Sequence, residues 1–313
     1  MFNRIALLLI LIIALPYYWL LMDTGPTSVP ARDIDIARLR MLADSQSGPR
    51  PIAIEYAAVQ TETVPGTVLV AGGGLRSVDT AVLVWRLVTP GGDTVINSGL
   101  TADQALASGY THFDPAMQAT ADGWLHAARL ILFTSEEIDH AGGLVSLLTA
   151  DRDIAGKVIG NREQTTAIHA LAPGLTKSLK PPLAALSTPA GYAAIAPGIA
   201  AVHTPGHLPG TQMIYARLQN GREYLFAGDS APMRRNVDWQ RPRSRLSAEW
   251  YGTEDRAATL GWIKGLARLK AREPGLTIVY AHDFGWLKDP DIGPRFAAAP
   301  PHSRTAGAQQ AAQ

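Results

Sequence analysis

The order of apolar and polar segments predicts a mixed domain of strands and helices, α+β in class, behind an N-terminal membrane segment. Three observations carry this reading. Residues Ile5 to Leu21 form an unbroken apolar run. Short apolar stretches separated by glycine-rich turns follow in the first half of the chain, as in a β-meander. Later stretches end in polar loops that lead into helical patterns, as strand-to-helix connections do.

Composition bounds the chemistry. The chain has 313 residues, with 28 Lys+Arg against 27 Asp+Glu, a formal charge of +1 and no cysteine. So balanced a charge argues against nucleic acid as a partner. The missing cysteines exclude disulfides, thiolate-held zinc, iron–sulfur clusters and thiol nucleophiles, so a metal must sit on nitrogen and oxygen. An apolar fraction of 47% suffices for one large core.

The apolar run has the length of a short membrane span, which needs roughly 17–25 residues. Arg4 precedes it, Tyr17, Tyr18 and Trp19 suit the membrane–water interface, and Asp23 follows. Residues 1–22 are therefore expected to be an anchor with the N-terminus inward and the domain outside the cytoplasm. A cleaved signal peptide, cut after Ala31 with Val29 before it, is the alternative and would leave a secreted domain. Residues 23–33 read as a linker, 34–291 as one domain and 292–313, rich in Ala, Pro and Gln, as a disordered tail.

Within the domain, strands are expected at Thr67–Val70, Ala81–Val88 and Thr94–Asn97, parted by Gly72-Gly73-Gly74 and Pro90-Gly91-Gly92-Asp93. The triple glycine reads as a turn, because a phosphate cradle needs a helix directly after it. Thr101 and Gln104 form a capping box, and Arg129–Phe133 is a buried strand. Ile199–Val202, Thr211–Leu218 and Arg222–Ala227 are further strands, the last two joined by the hairpin pair Asn220-Gly221. Thr253 is expected to cap a long helix bearing Leu260, Ile263, Leu266 and Leu269, whose first turn takes Glu254 and Asp255. Thr277–Ala281 is the last strand.

Four loops at strand ends then offer Asp139 with His140, His207, Asp229 and His282. Imidazole and carboxylate together suit zinc, manganese or iron(II). The wording of these loops, Asp139-His140-Ala141-Gly142-Gly143, Thr204-Pro205-Gly206-His207-Leu208-Pro209-Gly210, Phe226-Ala227-Gly228-Asp229 and Ala281-His282-Asp283, resembles four successive motifs of the metallo-β-lactamase superfamily. The resemblance covers about Val68 to Trp286. It implies a four-layer αββα sandwich, with the metal site at strand ends, and a hydrolase that activates water on an ester, lactone, amide or related small-molecule substrate.

The departures matter equally. Where the family carries His-x-His-x-Asp-His, this chain has Ser135 and Glu137 in the histidine positions, and Asn97-Ser98-Gly99 replaces the family's early aspartate. By resemblance, the second metal site, with Asp139, His140, His282 and the bridging Asp229, is complete, and the first keeps only His207. Three readings compete: one zinc ion on Asp139, His140, Asp229 and His282; two ions, with Glu137 and His207 weakly holding a hard cation; or a degenerate, membrane-tethered binding or sensing protein. Asp139 and Asp229 are expected to orient the nucleophilic water. His207 completes the shell or stabilises developing charge.

Glu137 reads as a ligand, a general base or a solvated loop carboxylate, the last preferred. His203 is assigned to packing or hydrogen bonding, and His112, His126, His169 and His302 carry no functional role. Arg234 to Arg245 holds five arginines against Asp238. It suits an anionic substrate or lipid headgroups, but is read first as a solvated loop with Trp239 and Trp250 packed below it.

Overall fold

The computed structural model describes residues 2–171, 174, 183–186, 188 and 191–300. Its strands are β1 (Ala53–Pro65), β2 (Ser77–Val88), β3 (Thr94–Ile96), β4 (His112–Phe113), β5 (Leu130–Leu132), β6 (Ile159–Gly160), β7 (Ala184–Ala185), β8 (Tyr192–Ala196), β9 (Ile199–His203), β10 (Gln212–Arg217), β11 (Glu223–Phe226), β12 (Leu276–Val279) and β13 (Ala297–Ala298). One sheet runs β13-β1-β2-β3-β5, with β4 on β1, and a second runs β12-β11-β10-β9-β8.

The sheets face one another. Trp85, Leu87, Ile96 and Leu132 of the first pack with Ile214, Phe226 and Val279 of the second. Helices Pro115–Ala127 and Ile138–Ala150 cover the outer face of the first sheet through Ala121, Leu125, Leu144 and Leu148. Helices Ile36–Asp44 and Arg256–Arg272 cover the second through Leu39, Trp262, Leu266 and Leu269. The expected αββα order is therefore the observed one, each element burying its apolar side against a neighbouring layer.

Three local expectations change. Thr67–Val70 is no strand: Gly66–Leu69 makes one helical turn, and the meander begins with β1, whose polar residues hid it. A side chain on Gly66 would meet the Gly73 carbonyl at 2.7 Å, so the chain folds back too tightly there for a strand. The long helix is capped by Asp255, which accepts from Ala258 N at 2.9 Å, and this leaves Thr253 and Glu254 outside it. The ordered domain passes Asp291: β13 pairs in parallel with β1 through Glu55 and Ala297, and Phe296 packs on Trp85. Of the expected tail, residues 301–313, with His302, lie outside the described residues.

At the N-terminus, Asn3–Met22 is one helix long and apolar enough to cross a membrane, and none of it is buried. The segment after it lies along the last long helix, where Lys264 Nζ donates to Thr27 O and Val29 O, and Arg32 N to Gly261 O.

Candidate metal centre

Helix Ile138–Ala150 presents Asp139 and His140 in its first turn, where the unpaired N–H groups favour a carboxylate. Ser98 seats that turn: its N–H and hydroxyl both donate to His140 O, and its Oγ accepts from Leu144 N. Gly143 lies so close to the Ser98 carbonyl that no Cβ fits between them.

Hydrogen bonds set which nitrogen each histidine turns inward. Thr134 Oγ1 donates to Asn97 Oδ1 at 3.2 Å and therefore accepts from His140 Nδ1–H at 3.0 Å. His282 Nδ1–H donates to the Ala81 carbonyl at 3.0 Å. Both rings thus aim Nε2 at one point, the usual way in which an outer partner orients a ligand imidazole. Asp229, on the turn after β11, is fully buried, with Oδ2 2.7 Å from His140 Nε2 and Oδ1 3.2 Å from His282 Nε2. Asp139 Oδ1 lies 3.6 Å from His140 Nε2, and its Oδ2 3.8 Å from His282 Nε2.

Asp139 Oδ1 is buried and has no hydrogen-bond partner, while His140 Nε2 and Asp229 Oδ2, equally buried, lie 2.7 Å apart. The unpaired oxygen alone costs about 1–3 kcal/mol, and two buried carboxylates crowded against two imidazoles make the cluster a costly arrangement without a ligand. Two imidazole nitrogens and two carboxylates form a donor set that fits zinc. Electrostatics agree. Burial opposes charging His140, but Asp139 and Asp229 outweigh it and push the ring up to about 9. Burial also opposes ionisation of Asp229, yet His140, His282, His207 and Arg243 hold its carboxyl well below the usual range. For Asp139 burial wins and raises the carboxyl.

His207 stands apart from that set. Its Nε2 is 2.7 Å from Glu137 Oε2 and its Nδ1 3.3 Å from Glu254 Oε2. Glu137, His207 and Asp229 nevertheless form a second group whose ligand atoms lie within 4.8 Å of one another. Arg243 enters this group: it donates from Nη2 to Asp229 Oδ1, from Nη1 to Glu254 Oε2 at 3.2 Å, and abuts His207 Nδ1.

Several readings are thereby corrected. Glu137 keeps an exposed flank but bonds His207, so it is no free loop carboxylate. Ser135 is buried, and its Oγ accepts from Glu137 N at 3.3 Å. The arginine-rich segment is not all solvated, since Arg243 is buried in the centre; Trp239, 44% exposed, does pack against Arg235 and Arg241, whereas Trp250 is 67% exposed. Glu254, expected at a helix N-terminus, is turned inward with a side chain only 2% exposed. Arg243, Glu254 and Thr134 were missed; the run of charge marked the first only by neighbourhood, and nothing local marks the other two. His203 does serve a loop, with Nε2 2.7 Å from Pro209 O.

A cavity of about 450 Å³ reaches this cluster and is lined by Asp139, His207, Arg243 and His282 together with Tyr110 and Leu69. Its size is that of a small-molecule site, for which about 300–1,000 Å³ is usual. Burial, with Asp139 and Glu137 nearby, raises the Tyr110 hydroxyl, which therefore stays protonated.

No known family profile matches the sequence, and no curated protein matches it. Solved structures do. A quorum-quenching N-acyl homoserine lactone lactonase superposes with a TM-score of 0.56 at 18% identity, covering 76% of this chain and 95% of its own. A probable metal-dependent hydrolase from Staphylococcus aureus gives 0.54 at 15% identity, over 76% and 91%. The dizinc quorum-quenching lactonase AidC, bound to N-hexanoyl-L-homoserine as product, gives 0.52 at 15% identity, over 76% and 92%. These neighbours are hydrolases of the metallo-β-lactamase superfamily, and the likeness establishes that this chain has the metallo-β-lactamase fold.

Proposed function

We propose that the protein is a membrane-anchored, metal-dependent hydrolase of small carbonyl compounds that works with one zinc ion. The observation that carries this is the convergence of Asp139, His140, Asp229 and His282 on one buried point, with Asp139 Oδ1 left without a partner. These four residues would hold the ion. When bound, it supplies an acidified water at neutral pH and polarises the carbonyl under attack.

The chain's own groups do the rest. Asp139, whose carboxyl burial raises, accepts a hydrogen bond from the attacking water and orients it. Arg243 brings a fixed positive charge to Asp229 and Glu254 on the side where the family's first ion would lie, so a second ion meets a guanidinium in its place. It therefore stands where it can bind a carbonyl oxygen as negative charge develops, or an anionic group of the substrate. His207, held by Glu137 and Glu254, and the Tyr110 hydroxyl are further donors in the cavity. An ester, lactone or amide suits this arrangement. The N-terminal helix, with Trp19 near its end, is the anchor that keeps the domain outside the cytoplasm.

A two-ion centre is the second reading, favoured by the grouping of Glu137, His207 and Asp229. Metal analysis of the full chain in detergent separates the two. One zinc per chain, lost in His282→Ala together with hydrolysis across an ester and lactone panel, supports the proposal. Two ions support the alternative, and no metal with no hydrolysis returns the protein to the degenerate binding class.

A further inference from the structure

The end of the N-terminal helix docks on the rim of the cavity. Leu21 O accepts from Thr67 Oγ1 at 2.9 Å and from Gly72 N at 2.8 Å, which ties it to the turn Gly66–Leu69. On the opposite side, Arg245 lies 4.7 Å over the Trp19 ring and pairs with Asp23 at 2.6 Å. Arg245 leads into the turn Leu246–Trp250, which Ser247 ties to the first turn by donating to Val68 O. Both turns line the cavity, through Val68 and Leu69 of the first and Ser247 and Ala248 of the second, with Tyr251 directly after it. A third link runs inward, since Arg256 donates to Asp23 O and, at 3.1 Å, to the carbonyl of Arg243.

The surface beside this rim is apolar and aromatic. Leu75, Trp250 and Tyr251 are 65%, 67% and 80% exposed, and Tyr251 also lines the cavity. Trp239 lies nearby in sequence, with Arg235 and Arg241 each 5.4 Å from its ring centre. Exposed tryptophan and tyrosine backed by arginine, next to the end of a spanning helix, match the headgroup layer of a bilayer and are unfavourable in water.

We propose that the cavity opens at the bilayer surface and takes a long-chain acyl ester directly from the membrane, its chain passing between Leu69 and Tyr251 and its carbonyl reaching Asp139 and His282. The proposal rests on the reading of the centre as a hydrolase and of Asn3–Met22 as a span. Hydrolysis adds water across the acyl C–O bond, releasing a fatty acid, which stays in the membrane, and the alcohol; no redox partner is needed. Apolar Val64, Val68, Leu69 and Ala248 give the chain its path.

The test uses the full chain, zinc-loaded, in phosphatidylcholine–phosphatidylglycerol vesicles. It compares p-nitrophenyl palmitate held in the bilayer with p-nitrophenyl acetate in solution. The palmitate is expected to have the higher kcat/KM by at least about tenfold, and Leu75→Gln with Trp250→Gln to remove most of that preference while leaving acetate turnover within about twofold, because only burial at the bilayer is lost. Brominated phosphatidylcholine should quench wild-type emission more than that of Trp250→Phe. Acetate turnover with no chain preference, a preference that the double variant retains, or equal quenching of wild type and Trp250→Phe overturns the proposal and leaves the hydrolase reading intact. Absence of turnover on both esters overturns that reading and this proposal with it.

Discussion

Arg243 donates to Asp229 inside the cluster, on the side away from His140, so a carboxylate that faces two histidines is shared with a cation built into the chain. The second carboxylate on this guanidinium, Glu254, is buried as deeply, and neither has another arginine or lysine partner among the described residues.

Replacing Arg243 with Met should therefore act on metal content and on stability together. Leaving Asp229 and Glu254 without their shared cation costs about 3–5 kcal/mol in the metal-free protein. With zinc in excess, the variant is expected to recover part of that loss by taking up a second ion on Glu137, His207 and Asp229. Calorimetric melting with and without zinc, with metal analysis, checks both. An unchanged single ion and no loss of stability would contradict the role given to Arg243.

Thr134 should matter chiefly through His140, its bond to Asn97 Oδ1 being duplicated by the Thr134 N–H. Thr134→Val removes the acceptor for His140 Nδ1–H, and zinc affinity is expected to fall about 10–100-fold, with Thr134→Ser restoring most of it. Competition with a chelating dye reads the affinity without any substrate.

The pH dependence follows from His140. Its metal-free value is about 9, so at neutral pH a cation must displace a proton from the ring. Zinc affinity should rise about tenfold per pH unit through that range and flatten above it. The metal-free protein should behave oppositely. A folded-state value raised above the ordinary one of about 6.5 stabilises fully below it and loses the contribution as pH approaches the raised value, so apo stability falls between those limits. Zinc titrations and apo melts across this window test both signs.

Gly143→Ala should disturb the centre from behind. The added methyl meets the Ser98 carbonyl, and relieving that contact moves the turn that presents Asp139 and His140. A loss of about 1–3 kcal/mol is expected, with weaker zinc binding in the same variant. Ala141→Gly, in the same helix but free of this contact, controls for helix propensity.

Much of the centre was legible before folding because ligand chemistry is local. An aspartate and a histidine on a strand-to-helix loop, and Asp229 and His282 each at the end of an apolar strand, declare themselves by residue type and position. The strands β2, β9, β10 and β11 were legible for a similar reason, since their apolar runs and the Asn220-Gly221 turn are short-range signals. β1 was not: its mixture of Ala, Glu, Gln and Thr becomes a strand only because β2 pairs along its whole length.

What the sequence determined by itself was a candidate donor set, and that Ser135 and Glu137 stand where the family it resembles carries histidines, for these are statements about which atoms exist. Only the tertiary structure decided what stands in their place. Arg243 looks like one more arginine in a solvated run, and Glu254 like a charge at a helix start. They meet because the long helix is capped by Asp255, two residues later than Thr253, which turns Glu254 inward, and because Arg256 holds the Arg243 carbonyl. A long-range pair of buried opposite charges is stable only when folding supplies both at once, and no single stretch of chain can announce it.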